Sequence, residues 1–244
     1  MRRTAFLLLI FMLLAASLSA DVYIKTFTRV DPINVMGQSI PARETYTEEW
    51  ISDNFYLREG EDGFSYLYDL KKSIIYLILP RTKSYIEIKP PVNIFDLLPP
   101  EMSQMAQALE QMSLSVTPLG ETKVINGIKS LGYRLEMTVM MYPMEMTIWA
   151  SEDLPVNLKN YLEKVWPEIL KIQMRLAENA FSELNKIRGL WIAYETKASF
   201  MGYEVNSRAE VLEISSKTPP AGKYAIPKDY KKKDRLELED LQGF

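Results

Sequence analysis

Cysteine and histidine are both absent from this chain of 244 residues. Without cysteine the protein gains no stability from disulfides, so its hydrophobic core has to suffice. The two absences also exclude a cysteine nucleophile, a Ser-His-Asp triad and a histidine zinc site. The chain carries neither a Walker A motif nor a GxGxxG sequence. Any catalysis would therefore depend on carboxylates, tyrosines and lysines.

The one long apolar run lies at the N-terminus. Arg2 and Arg3 precede the apolar residues 5–16, and the small residues "SLSA" follow before Asp21. This order predicts a cleaved secretory signal peptide over residues 1–20, because the run is too short to span a bilayer comfortably. We expect export to the periplasm, or release from a cell without an outer membrane, and no transmembrane segment after cleavage.

Charge and composition limit which class of partner and how many domains are expected. Loss of the signal peptide leaves 27 basic residues against 32 acidic ones, and no stripe of lysine and arginine alternates with aromatics. Nucleic acid is therefore not an expected partner. The composition, 47% hydrophobic and 25% charged, is typical of a globular domain. With no internal repeat or linker, we predict a single domain over residues 21–230 and a charged, flexible tail over residues 231–244.

Short segments with alternating apolar and polar residues fill the first half of the chain. Turn sequences such as "EGEDG" separate them, which predicts an antiparallel meander. Residues 73–79 include "IIYLIL", which is apolar on both faces and indicates a strand that is covered twice or that faces a cavity. Further strands are predicted over residues 113–119, 131–141, 144–151, 190–201 and 203–214.

Two segments show helical spacing instead. After Pro99 and Pro100, the residues Met102, Met105, Leu109 and Met112 would share one face of a short helix. Residues 157–187 carry a continuous apolar stripe with spacings of three or four, which predicts a long helix. Pro167 should kink or break that helix near Trp166, and Gly189 should end it.

The stretch "MTVMMYPMEMTIWA", residues 137–150, holds five methionines. Odd positions are apolar before the turn and even positions after it, so the two strands must pair odd with even. The register that we expect places Met141 opposite Met144, Val139 opposite Met146 and Met137 opposite Ile148. Four of the five methionines then share one apolar face, and only Met140 points away.

Three interpretations of this methionine face are open. It could be packed core, or the adaptable lining of a cavity for a hydrophobic ligand, since methionine serves in both. The sulfurs of Met141, Met144 and Met146 could also converge on copper(I), because thioethers are soft ligands. No histidine or cysteine is present to assist, so we expect no metal and no cofactor.

Six stretches span almost the whole chain after residue 20: "VMGQ" at 35–38, "EEWISDNFYLR" at 48–58, "LLPPEMSQM" at 97–105, "GETKVINGIK" at 120–129, "MTIWASEDL" at 146–154 and "PAGKYAIPKDY" at 220–230. Together, and in this order, they resemble the bacterial secreted proteins grouped as domain of unknown function 4412. Members of that family often carry a cysteine shortly after the Asn126-Gly127 position. Leu131 and Gly132 stand there in this chain, so any redox role of that cysteine is absent.

The resemblance implies a fold but no established activity. The family is similar in architecture to the lipoprotein-carrier fold of LolA, LolB and LppX, in which a strongly curved antiparallel sheet wraps around a helical plug beside an apolar cavity for acyl chains. The segments predicted above supply the same parts. We therefore predict an α+β fold, a half-barrel of about 10–11 strands with one short and one long kinked helix packed in or over its concave face.

The leading functional hypothesis is a periplasmic binder or carrier of a lipid-like or other hydrophobic ligand, with acyl chains as candidates. Methionine re-packs readily around varied chains, which suits a soft lid over an apolar face. The residues that we expect to line the cavity are Met102, Met105, Leu109, Met112, Met137, Met141, Met144, Met146, Ile148 and Trp166.

Two other classes of function compete with this one. The helices could simply plug the concave face, leaving a structural or partner-binding module of the cell envelope whose sheet edge or charged tail docks a protein. An enzyme could use clustered acids such as Glu44, Glu48 and Glu49. Glu48 and Glu49 point to opposite faces of a strand, however, and the "EGEDG" acids belong to a turn, so we expect no enzyme.

Overall fold

The computed structural model describes residues 20–35, 38–61, 63–102, 104, 107, 109, 111–139, 141–176, 178–200 and 202–241. Of the features predicted above, the signal peptide falls outside these ranges apart from Ala20, and so do Met105 and Met140.

A 12-stranded sheet dominates the described part of the chain. It is large, strongly curved and unclosed, which confirms the predicted half-barrel, with slightly more strands than expected. A separate two-stranded ribbon joins β2 and β3. The strands are β1 Asp21–Val30, β2 Ile33–Val35, β3 Gln38–Ile40, β4 Arg43–Ile51, β5 Phe55–Gly60, β6 Ser65–Asp69, β7 Ile74–Leu79, β8 Ser84–Ile88, β9 Ser113–Ile125, β10 Ile128–Val139, β11 Tyr142–Ser151, β12 Leu190–Phe200, β13 Tyr203–Lys217 and β14 Lys231–Lys233.

The order β14-β8-β7-β6-β5-β4-β1-β13-β12-β11-β10-β9 places β1 near the middle of the sheet. Neighbours are antiparallel except for β14, which runs parallel to β8. Tight turns explain the meander: Asn126 and Gly127, both with positive φ, join β9 to β10, as the sequence predicted. Two meanders, β4–β8 and β9–β13, thus flank the first strand.

The predicted long helix is three short ones: α1 Lys159–Lys164, α2 Trp166–Met174 and α3 Glu178–Leu184. Pro167 lies in the first turn of α2, so the predicted break near Trp166 is confirmed. The second break is at Arg175, which has φ 52° and ψ 46°. It was not predicted, because neither glycine nor proline marks this position in the sequence. Gly189 precedes β12 with φ +89°, and a Cβ there would lie 2.1 Å from the carbonyl oxygen of Ser151.

The predicted short helix near Met102 is only partly seen. Residues Pro100–Met102 form a 3-10 turn, as do Ile94–Asp96 earlier and Leu238–Leu241 near the C-terminus. Leu109 and Met112 are buried in a core cluster with Val116, Leu135 and the helix residue Leu184. The segment thus begins with a tight turn at Met102. At its other end, Leu109 and Met112 pack against strands β9 and β10.

The segment after β13 packs against the sheet, which makes the prediction of a flexible tail wrong for residues 231–241. We call residues 218–241 the C-terminal strap. Its Tyr224 stacks on Phe55 with ring centroids 5.1 Å apart, and β14 extends the sheet beyond β8. Its backbone then reaches the other side, where the amide of Leu236 donates to the carbonyl of Leu97 at 3.0 Å. The prediction of a flexible tail was based on its charged residues. Leu236 and Asp240 of this segment are nevertheless buried, so they fix it against the rest of the protein.

Candidate ligand cavity

Two cavities lie between the inner face of the sheet and helix α2. The first, of about 450 Å³, is lined by Met137, Met144 and Met146 of the β10–β11 hairpin and by side chains of α2; we call it the methionine cavity. The second, of about 580 Å³, is lined by apolar side chains that include Leu77, Leu97, Leu98, Ile172, Leu236 and Leu241; we call it the leucine cavity.

The hairpin that supplies the methionine wall has a different register from the predicted one. Met137 pairs with Met144 and Val139 pairs with Tyr142, whereas the expected register had Met137 opposite Ile148 and Val139 opposite Met146. Pro143 lies inside β11. The pairing still joins odd to even positions, and for that reason Met137, Met144 and Met146 remain on one face.

The candidate residues are distributed between cavity, core and surface. Met137, Met144, Met146 and Trp166 line the methionine cavity, and Met102 lines the leucine cavity. Leu109, Met112 and Ile148 are buried in the adjoining core. Met141 is 79% exposed at the hairpin turn, so its expected place on the apolar face is wrong, as is its convergence with Met144 and Met146. Met105 lies outside the described residues.

Aromatic rings form one side of the methionine cavity. Trp166 of α2 meets Trp191 of β12 edge to face, with centroids 5.7 Å apart and an interplanar angle of 83°. Tyr194, three residues further along β12, meets Trp191 in the same way at 6.1 Å. Such pairs add to the stability given by area burial. This side of the cavity is therefore firmer than the methionine side.

Hydroxyl groups form a further part of the lining of the methionine cavity, which we call the hydroxyl wall. Thr26 and Thr28 lie on the inner face of β1, in the same alternating row as buried Ile24. Thr47, Thr196 and Ser207 extend this row across β4, β12 and β13, and Thr196 is the cross-strand neighbour of Met146. The lining of the cavity is amphipathic as a result, because it combines thioethers and indoles with hydroxyls.

A buried carboxylate lies at the edge of the hydroxyl wall. Glu49 is 8% exposed and accepts hydrogen bonds from Tyr56 Oη at 2.6 Å and from Tyr161 Oη at 3.3 Å. Burial raises the pKa of Glu49 above its ordinary value, although both hydrogen bonds and the charge of Arg58 oppose the shift. Burial also raises the pKa of Tyr56 and of Tyr161 well above their ordinary values.

Sequence reasoning did not identify this group. It separated Glu48 from Glu49 by parity, which the structure confirms, because Glu49 is buried while Glu48 is only half-buried. The signal that could have found the group is the row Thr47, Glu49 and Ile51 on one face of β4, since Ile51 is a core residue. Nothing local could have added Tyr161, which is 112 residues away in the chain.

Four residues line both cavities and form the junction between them: Arg58, Gln173, Arg175 and Tyr194. Arg58 is the cross-strand partner of Glu49. Its guanidinium donates to the carbonyl of Phe64 at 3.3 Å and to Thr47 Oγ1 at 3.4 Å, and it lies 5.5 Å from the ring centre of Tyr66. The junction is polar, whereas the walls that extend from it into the leucine cavity are apolar.

Comparison with known proteins adds little to this geometry. No protein-family model matches the chain, so its resemblance to domain of unknown function 4412 gains no support there. No curated protein matches it either. Among solved structures, the chain is similar to a domain from Vibrio parahaemolyticus described as an outer membrane lipoprotein-sorting protein. The alignment covers 83% of this chain and 88% of that one at 9% identity and a TM-score of 0.29, a likeness too weak to argue from.

Among the residues that the structure describes, no helix is long and apolar enough to cross a membrane.

Proposed function

We propose that this protein binds a hydrophobic or lipid-like ligand between its curved sheet and helix α2, as a non-catalytic binder or carrier in the periplasm. The observation that carries the proposal is the pair of cavities, of about 450 and 580 Å³, on the inner face of the sheet. Ligand sites in proteins span roughly 300–1,000 Å³ and are mostly apolar with a few polar groups. Both cavities lie within that range of volume and have apolar side chains in their walls.

The lining of the methionine cavity supports an apolar ligand of variable shape. Met137 is 9% and Met146 6% exposed, and Met144 and Met174 are half-buried beside them. An unbranched thioether side chain changes its rotamer at low cost, so such a wall can fit chains of different length and saturation. Acyl chains are the class of ligand that needs this adaptability most.

The competing function is an envelope module whose helices plug the concave face. Its support is the main core, where Val165, Ile169 and Ile172 pack against Ile75 and Leu77 of the sheet and are nearly inaccessible. This plug fills the middle of the inner face but leaves the two cavities beside it. We therefore place ligand binding first and partner binding second.

The test is native mass spectrometry of the protein, purified gently from the periplasm of its own host. Ligand binding predicts added mass that organic extraction removes and that a lipid analysis identifies. The extracted protein should then brighten a hydrophobic naphthylamine dye. A stoichiometric protein partner, together with no extractable lipid and no dye response, would instead establish the partner-binding module.

A further inference from the structure

The junction between the two cavities carries two arginines. Arg58 and Arg175 are the charged side chains that line the leucine cavity among the residues described. The methionine cavity adds one carboxylate, Glu49. Positive charge therefore lies at the place where two largely apolar spaces meet, which is where the head of a two-sided ligand would sit.

Arg175 contributes a side chain without a partner of its own. In the part of the chain that the structure describes, its guanidinium makes no ion pair or hydrogen bond, in contrast to Arg58. Arg175 is exposed toward the junction and toward solvent. A guanidinium offers five donors in a planar fork that matches carboxylate and phosphate oxygens. This side chain can therefore bind an anion without first breaking a contact within the protein.

The backbone position of Arg175 is unusual for this residue type. It ends α2 in the left-handed conformation, with φ 52°, and its amide donates to the carbonyl of Ile172 at 3.3 Å. Glycine or asparagine usually occupies such a position, because a larger side chain is strained there. An arginine at the break between α2 and α3 accepts that strain and places a cation at the junction.

Glu49, the carboxylate of the methionine cavity, does not cancel this charge. Its Oε1 already accepts from Tyr56 and Tyr161. Burial raises the pKa of Glu49, which favours the neutral form over a wider range of pH. Repulsion between Glu49 and a bound anion is correspondingly reduced.

We propose that the junction binds the acidic head of an amphiphile, a carboxylate or a phosphate ester, through Arg175 with Arg58 nearby, while the apolar chain lies in the flanking cavities. This inference rests on the proposed function and names the chemical class of its ligand. The hydroxyl wall of Thr26, Thr28 and Thr196 offers further donors to the head, and the leucine cavity takes hydrocarbon.

The experiment is a calorimetric titration of the delipidated full chain with three probes that share one chain: dodecanoate, dodecyl phosphate and dodecanol. Both acids should bind about tenfold more tightly than the alcohol, the size of one charge-assisted contact. The tighter of the two acids identifies a carboxylate or a phosphate as the natural head, and either result supports the inference.

Two variants separate recognition from structure. Arg175→Gly removes the guanidinium and suits the left-handed backbone, so it should fold at least as well as the parent. It should reduce the preference for acids about tenfold and leave dodecanol binding unchanged. The matched control is Arg188→Gln, since Arg188 is exposed and lines neither cavity; its binding should equal that of the parent.

The remaining outcomes separate the two proposals. Equal binding of the alcohol and both acids by the parent would overturn the acidic head and leave the proposed function standing. An equal loss for all three probes in Arg175→Gly would also overturn it, because the arginine would then be structural. No binding of any probe by the delipidated parent would overturn both.

Discussion

The two meanders of the sheet differ in the number of faces that are covered. Strands β5–β8 are packed on both sides, because Tyr56, Leu77 and Ile86 lie under the helices while Leu57 and Ile78 lie under the C-terminal strap. Strands β9–β12 are packed on the inner side, and their outer side carries exposed charges such as Glu136, Glu145 and Lys197. Strands β5–β8 are therefore the middle layer of three, between the helices and the C-terminal strap. Strands β9–β12 belong to a region of two layers, the sheet and the helices.

This difference accounts for where the adaptable wall lies. In a three-layer region a side chain that changes its rotamer disturbs partners on both sides, because protein interiors are densely packed. In the two-layer region the methionines of β10 and β11 have a packed layer only on the cavity side. The methionine wall can therefore rearrange around a ligand while the β5–β8 meander keeps the fold in place.

The largest expected effect is a contrast between outer-face residues of the two meanders. Ile78→Ala in β7 should lower the free energy of unfolding by about 2–4 kcal/mol, because the strap buries this side chain to 6% exposure. Glu136→Ala in β10 should change it by about 0.5 kcal/mol or less, since Glu136 is exposed on the outer face. Urea denaturation of both variants checks the contrast.

Inner-face residues provide the control for that contrast. Leu77→Ala and Leu135→Ala, which are 2% and 0% exposed, should both be strongly destabilising, because the inner face is buried in each meander. Equal losses for Ile78→Ala and Glu136→Ala would contradict the difference in outer-face cover.

The next effect concerns the strap itself. Tyr224 stacks on Phe55 and its hydroxyl donates to Asp21. Tyr224→Ala should cost about 2 kcal/mol, and Tyr224→Phe less, since the phenylalanine keeps the stacked ring. Differential scanning calorimetry measures both against Tyr203→Ala, which removes a half-buried tyrosine that the strap does not contact. A Tyr224→Ala protein as stable as the parent would show that the strap does not hold the outer layer.

A smaller effect depends on pH. The pKa of Glu49 is raised in the folded protein, so its contribution to stability is present below the ordinary pKa of 4.5 and is lost as the pH rises through the folded value. Glu49→Gln removes this dependence. Relative to the parent, the variant should gain stability between pH 4 and pH 8, measured by urea denaturation at each pH.

Glu183, on helix α3, should show the opposite dependence of stability on pH. Hydrogen bonds from Lys186 and from the amide of Val116 on β9 lower its pKa. Its contribution is therefore present above the ordinary pKa and is lost as the pH falls through the folded value. Glu183→Gln should lose stability relative to the parent at pH 8 but not at low pH. The same slope for both variants would contradict the assignment of the two environments.

Local patterns in the sequence predicted much of the fold. Alternation and turns located the meander, and "IIYLIL" in β7 correctly indicated a strand apolar on both faces. Pro167 correctly indicated the break before α2. These features depend on residues within a few positions of one another, where steric rules decide the conformation.

Features that depend on distant residues were not predicted. The hairpin pairs Met137 with Met144 instead of with Ile148, and the alternation of apolar residues allows both registers. The packing of the strap needs Phe55 and Leu97, more than 100 residues earlier. The junction needs strand β5, helix α2 and strand β12 together, and no pattern within one segment specifies their meeting.

The most direct test of the central claim, ligand binding in the methionine cavity, compares two neighbouring residues of β12. Thr196 lines the cavity and pairs with Met146, whereas Glu195 is exposed on the outer face and lines neither cavity. Calorimetric titration with dodecanoate should show binding by Glu195→Trp equal to that of the parent. Thr196→Trp should bind about tenfold more weakly or not at all, because the indole occupies the space of the ligand. Equal binding by the two tryptophan variants would contradict the account.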